Sequence, residues 1–233
     1  MDSLNYLTRL VRTDVDTIVF DYDGVIVKSP EESLKIIMQI ANGYGCYPRL
    51  QDFREFSGMS WPEMFPLLGK KLRWSQKKIV SICEESTETA LNTVFEVPSG
   101  LLNRVESLRA LGLRTGILTG RTTFSLKTSA RLSDIKIKRN FDFIGTADNL
   151  PHQKPAPAVW NDLQNKGCVN FISKVLFIGD TKIDLDTTKH KKFPVTFFGV
   201  GNRNEFPRYA LPDNRFFEDS VSAVDFILAC KQA

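Results

Sequence analysis

The chain has 233 residues, 42% of them hydrophobic and 25% charged, with 17 phenylalanines. That is a folded, core-forming composition, and it excludes a disordered or low-complexity chain. The net charge of +4 (31 Lys and Arg against 27 Asp and Glu) is too mild and too evenly spread to imply a nucleic-acid partner or an acidic membrane surface.

Residues 1–14, MDSLNYLTRLVRTD, hold no uninterrupted apolar stretch and so read as no secretory signal. Leu4, Leu7, Leu10 and Val11 have helical spacing and are expected to dock an N-terminal helix on the core. VDTIVF (15–20) is a short β-branched run that ends abruptly at Asp21-Tyr22-Asp23-Gly24, the pattern of a buried strand followed by a turn. Ser29-Pro30-Glu31-Glu32 combines an N-cap Ser, Pro at the first helical position and Glu at the capping-box position. Ser60-Trp61-Pro62-Glu63 repeats the signal, and Ser75 opens a third helical stretch to about Thr93. From Ser29 to Glu96 the chain therefore reads as helices without a strand. Phe53, Phe56, Met59, Trp61 and Phe65 are the expected core of that block.

After Pro98 the character changes. Ser99 is placed to cap a helix through LLNRVESLRAL, which Gly112 ends in a left-handed cap. LRTGILT then reads as a strand that stops at Thr119-Gly120. FDFIGT (141–146), KVLFIG (174–179) and VTFFGV (195–200) are further strands. Helices fall between them, near 157–166 and after Asp180, and a last one is capped by Ser220. Strands alternating with helices imply a doubly wound parallel sheet, a Rossmann-like α/β core. The helical block is too long to be a connection, so the expected division is a core of residues 1–28 and 97–233 and an inserted helical cap domain of residues 29–96.

No segment reaches the ~20 apolar residues of a membrane span. Cys46, Cys83, Cys168 and Cys230 have no zinc spacing and read as reduced thiols of a cytoplasmic protein. With only His152 and His190, a histidine-rich metal site is out. No Gly-x-Ser-x-Gly elbow, P-loop or dinucleotide fingerprint is present.

The chemistry concentrates at strand ends, where open α/β sheets bind ligands. Asp21 and Asp23 follow the first strand, Thr119 the second and Asp180 with Asp184 a later one, while Lys154 lies in a loop before a helix. Carboxylates with room for water suit Mg²⁺. An ammonium and a metal would together offset the repulsion between a carboxylate and a phosphoryl group. One Asp can then attack phosphorus while a second, two residues on, moves the protons.

In their order, these residues resemble the four motifs of the haloacid dehalogenase superfamily of aspartate-nucleophile phosphotransferases. Asp21-Tyr22-Asp23-Gly24-Val25 is similar to the first motif, Thr119 to the second, Lys154 in HQKPAP to the third, and Gly179-Asp180-Thr181-Lys182-Ile183-Asp184 to the fourth. The helical insertion sits where the phosphoglycolate phosphatase-like branch carries its cap. The resemblance implies a Mg²⁺-dependent phosphatase acting on a small phosphorylated metabolite, as a monomer or homodimer. It implies that Asp21 is nucleophile and metal ligand. Asp23 would be general acid/base and, through its backbone carbonyl, a further ligand. Thr119, Lys154 and a backbone N–H at Gly120 would bind the phosphoryl group. Asp180 would ligate the metal directly, with Asp184 a ligand or an orienter of its waters. Gly24 would allow a tight turn under the phosphate, and Gly58 resembles the substrate-facing loop of the cap.

Two stretches depart from the family. Gly120-Arg121 stands where Asn often follows the motif hydroxyl, with Arg121 expected either to bind substrate or to cover a helix start. Thr187 to Lys192 replaces the usual small residues and Gly after Asp184. The alternatives kept open are a sugar-phosphate mutase of the same superfamily and a non-catalytic phosphate-binding regulatory module.

Overall fold

Val15–Phe20 (β1) is buried at every position except Asp16, as a strand covered on both faces must be. The structure is a computed structural model that describes residues 3–170, 174–203, 206, 211, 212 and 215–233. Around β1 lie Arg114–Leu118 (β2), Phe143–Gly145 (β3), Lys174–Gly179 (β4), Val195–Val200 (β5) and Phe216–Phe217 (β6). They form one sheet in the order β3-β2-β1-β4-β5-β6, with every pairing parallel. β2 to β5 fall within or on the expected segments. β6, two half-buried phenylalanines, is too short to carry a periodicity and was not foreseen.

Alternation along the strands splits the core into two layers. Ile18 and Phe20 of β1, with Leu176 and Ile178 of β4, face one apolar cluster, shared with the helices Ser3–Thr13 (α1), Leu101–Ala110 (α6), Thr123–Leu132 (α7) and Ser220–Gln232 (α11). Val19, Val175 and Phe177 face the other, with Trp160 and Leu163 of Val159–Asn165 (α9) and Leu185 of Lys182–Thr187 (α10). Leu7, Leu10 and Val11 dock α1 on the first cluster as expected; the Leu4 side chain lies outside the described residues. A short helix, Ile137–Asn140 (α8), precedes β3.

Between β1 and α6 stand only helices: Pro30–Gly43 (α2), Leu50–Phe53 (α3) with a 3₁₀ turn at Arg54–Phe56, Trp61–Lys71 (α4) and Gln76–Leu91 (α5). They enclose their own apolar cluster, which includes Phe53, Phe56, Phe65 and Ile82, with Trp61 packed against it. Met59 is not part of it, being 37% exposed in the loop before α4, where the chain turns away from that interior. Ile36, Ala90 and Phe95 belong instead to the cluster of the sheet, so the insertion also packs on the core.

Three expected helix caps are replaced. Ser29 stands in helical backbone geometry and makes no cap bond; its hydroxyl is turned to donate to Asp23 Oδ1 at 2.5 Å, a charge-assisted bond. Gly100, at φ +75, precedes α6 in place of Ser99. The cap of α11 is Asp219, whose carboxylate accepts from the Ser222 N–H at 2.8 Å, while the Ser220 hydroxyl donates to the Val25 carbonyl at 2.7 Å. The capping signals at Ser60 and Ser75 hold, as does the left-handed Gly112 at φ +82. All four cysteines are free thiols. Among the described residues no helix is long and apolar enough to cross a membrane.

Candidate active site

The chain lays β1, β2 and β3 outward in one direction, then returns to place β4 on the other side of β1. In such sheets the crevice opens beyond the carboxyl ends of the strands where the order reverses. Asp21 ends β1 there, its N–H donating to the Ile178 carbonyl of β4 at 2.9 Å. Asp180 ends β4, Thr119 ends β2, and Asp184 lies on the first turn of α10.

Lys154 ties these ends together. Its Nζ is 2.8 Å from Asp21 Oδ1 and 2.6 Å from Asp184 Oδ1, and its side chain is only 7% exposed. The other Asp184 oxygen accepts from the Thr181 N–H at 3.1 Å and the Thr181 hydroxyl at 2.6 Å. Asp184 is thus a fully buried carboxylate with both oxygens bonded. Asp180 is different: its Oδ1 is buried without a hydrogen-bond partner. Buried polar atoms are normally bonded, so this oxygen marks a place for something outside the chain. Carboxylate oxygens of Asp21, Asp180 and Asp184 lie within 4.8 Å of one another. A cluster of hard oxygen donors with one orphaned atom fits Mg²⁺.

Gly24 is needed for more than its turn. It has φ +75, and a Cβ there would stand 1.9 Å from Asp180 Oδ2. A side chain at that position would drive Asp180 out of the cluster. Gly24→Ala is expected to weaken activation by Mg²⁺ at least ~10-fold, read from the metal concentration giving half-maximal rate, because strain of about 1–2 kcal/mol adds to the displaced ligand. An unchanged Mg²⁺ dependence would remove Asp180 from the metal site.

The electrostatics follow from crowding acids in a dry place. Burial, and then the Asp184 carboxylate, push the Asp21 carboxyl up to about 7. Burial and the same neighbour raise Asp180 well above its ordinary range. Burial opposes the Lys154 charge, but Asp184 and Asp21 outweigh it and raise its pKa. Because the folded Asp21 pKa lies above its ordinary 3.8, this group favours folding below pH ~4 and loses that contribution as pH rises through about 7. The metal-free protein is expected to melt ~5 °C or more lower at pH 8 than at pH 5, with Mg²⁺ reversing much of the loss. Asp21→Asn should flatten the drop in thermal melts run with EDTA; an equal drop in that variant would assign it to other groups.

Asp23 has another environment. Arg121 grips it with two bonds, Nε to Oδ2 at 2.8 Å and Nη2 to Oδ1 at 2.7 Å. Burial alone would raise the Asp23 pKa, but the Arg121 guanidinium holds it below the usual carboxylate range. Of the two expectations for Arg121, neither described this pairing, although a cation one residue past a strand-end glycine was its visible signal. Thr119 is buried; its Oγ1 accepts from the Arg121 N–H at 3.1 Å, which leaves its own proton to donate. Gly120 is exposed, and a Cβ there would meet nothing within 4 Å.

Gly58, at φ +81 in the loop before α4, approaches from the insertion. A Cβ on it would lie 2.9 Å from Thr181 Oγ1 and 3.2 Å from Ile183 Cδ1, so this loop rests on the segment that carries Asp180 and Asp184. After Asp184 the unusual stretch is still well closed. The Trp160 indole donates to the Thr187 carbonyl at 2.9 Å, and Lys189 pairs with Asp186 at 2.6 Å.

Residues 18–198, spanning every one of these positions, match the family model of the haloacid dehalogenase-like hydrolases. The chain belongs to that family. It is 25% identical over 212 residues to a phosphoglycolate phosphatase of Rhodobacter capsulatus, covering 87% of this chain and 92% of the relative. It is 23% identical over 146 residues to the pyrophosphatase PpaX of Bacillus cereus (strain Q1), covering 61% of this chain and 64% of that one. Among solved structures, a predicted phosphoglycolate phosphatase from Haemophilus somnus superposes with a TM-score of 0.71 at 18% identity, covering 91% of this chain and 98% of the other. CbbY of Rhodobacter sphaeroides, in complex with xylulose-(1,5)bisphosphate, superposes with a TM-score of 0.67 at 16% identity over 88% and 95%. These likenesses establish a family hydrolase with the α/β fold expected above.

Proposed function

We propose that the protein is a cytoplasmic Mg²⁺-dependent phosphatase of a small phosphorylated metabolite, working through an aspartyl-phosphate on Asp21. The observation that carries the reading is the gathering of Asp21, Asp184 and Lys154 in direct contact, with the orphaned Asp180 oxygen beside them. Residues 29–96 act as a cap on a core of residues 1–28 and 97–233. The two linker strands meet at that border, where the Lys28 N–H donates to the Glu96 carbonyl at 2.8 Å and the side chains pair at 2.6 Å.

Asp21 attacks phosphorus, and the bond to the leaving oxygen breaks. Asp23 protonates that oxygen, then takes a proton from the water that cleaves the acyl phosphate, so one carboxyl serves both half-reactions. Thr119, Lys154 and the Gly120 N–H hold phosphoryl oxygens as charge redistributes. Asp21, Asp180 and Asp184, with the Asp23 backbone carbonyl, would hold Mg²⁺. The ion, when bound, neutralises charge shared between nucleophile and phosphoryl group. Seen this way, the Asp21–Lys154 ion pair is the resting form of an attacking carboxylate kept beside its phosphate-binding cation. The cap, through the Gly58 loop, shapes the substrate.

A panel of phosphate esters and pyrophosphate, assayed with Mg²⁺ for released phosphate, tests the reading. Borohydride reduction of the enzyme during turnover should label Asp21. Isomerised ester without phosphate would make it a mutase. Binding of phosphate without turnover on any ester would make it a regulatory module.

A further inference from the structure

The contact that the family motifs leave unexplained is the fork of Arg121 on Asp23. Its guanidinium side chain is only 15% exposed and lies between two rings, 5.3 Å from the Tyr22 centroid and 5.5 Å from that of Phe95. Its Nη1 donates to the Ser125 hydroxyl at 3.2 Å. The plane of the fork is therefore set by two aromatic walls and a third hydrogen bond before it meets the carboxylate. A planar fork then fixes both the position and the rotation of its partner, which a lysine cannot do.

The bonds are also unequal across the carboxylate. Asp23 Oδ1 accepts twice, from Arg121 Nη2 at 2.7 Å and from the Ser29 hydroxyl at 2.5 Å. Oδ2 accepts once, from Arg121 Nε at 2.8 Å. One lone pair of Oδ2 is left to take a proton. The fork therefore fixes which oxygen of Asp23 stays open to a proton and in which plane it lies. With a leaving group that departs without a proton, only the second half-reaction calls on that oxygen.

We propose that Arg121 is a positioning residue for the hydrolysis of the phosphoenzyme: it presents Asp23 Oδ2 as the base that receives the proton of the attacking water. The proposal rests on the phosphatase reading above. In the step, the water oxygen bonds to phosphorus and the bond from phosphorus to the Asp21 oxygen breaks. Asp21 leaves as a carboxylate, the water's proton passes to Asp23 Oδ2, and inorganic phosphate is released.

The test separates the half-reactions with p-nitrophenyl phosphate, whose leaving group departs without a proton. Rapid-quench measurements on Arg121→Ala should show phosphoenzyme forming within ~3-fold of the wild-type rate. Its breakdown should slow by ~10²-fold, the scale of a misplaced general base, so that kcat falls and phosphoenzyme accumulates. Arg121→Lys keeps the charge and much of the packing but cannot fork; it should also accumulate phosphoenzyme. Circular dichroism and melting of both variants report folding, and the Lys variant carries the test if the Ala variant does not fold. Unchanged breakdown, equal slowing of both steps, or full rescue by Lys would overturn the role. A wild-type enzyme that turns over without phosphoenzyme would instead overturn the aspartyl-phosphate reading, and this inference with it.

Discussion

In Asp21→Asn, hydrolysis of an aryl phosphate is expected to fall by about 10³-fold or more, while the chain should stay folded and melt no lower than wild type in EDTA at pH 8. The activity loss follows from chemistry: an amide oxygen is a poor nucleophile, and Asp184, fully buried with both oxygens bonded, is not free to replace it. The stability result follows from electrostatics. Asn removes one of three carboxylates crowded within 4.8 Å, and burial was opposing its charge. A carboxylate that destabilises its own resting site is a common consequence of gathering like charges for function. Phosphate release measured with and without Mg²⁺, with melts on the same samples, tests both parts. Activity within ~10-fold of wild type would move the nucleophile elsewhere, and a lower melting temperature at pH 8 would make the carboxylate a structural partner of Lys154.

How much of this was legible beforehand depends on whether the information was local. β1, β4 and β5 are mainly apolar runs whose bounds coincide with the expected 15–20, 174–179 and 195–200, because a strand covered on both faces is apolar over most of its length. The acids and Lys154 were visible as polar residues at strand ends. Strand order was not, since it depends on which connections cross the sheet. The caps at Ser29 and Ser220 are lost for one physical reason. A hydroxyl bonds to the best acceptor or donor that tertiary structure brings within reach, and for Ser29 and Ser220 that is Asp23 and the Val25 carbonyl. Arg121 was visible as a departure from the family pattern, but its partner, 98 residues away, could come only from the fold. Met59 illustrates the same limit, since spacing alone does not tell an interior apolar side chain from one left at the rim of a loop.

Lys154→Met carries the largest expected effect on stability. Lys154 is nearly as buried as the acids it joins, and it is the only cation the structure places in contact with Asp21 and Asp184 among the described residues. Removing it leaves buried carboxylates facing one another without compensation, a change that costs about 3–5 kcal/mol when one partner of a buried pair is lost. For a chain of this length the melting temperature should drop by ~10 °C in EDTA at pH 8. Methionine keeps much of the volume, which confines the change to charge. Two conditions should then recover stability. Acidification to pH 5 allows the raised Asp21 and Asp180 to protonate, and Mg²⁺ supplies positive charge to the same oxygens. Activity should not recover with either, because a phosphoryl group entering the site still lacks one of its cationic donors, a loss on the order of 10²-fold in kcat. A Lys154→Met protein as stable as wild type in EDTA at pH 8 would show that the acids are held by something other than this ammonium. Stability restored by Mg²⁺ together with full turnover would remove Lys154 from phosphoryl binding and leave it a counter-ion alone.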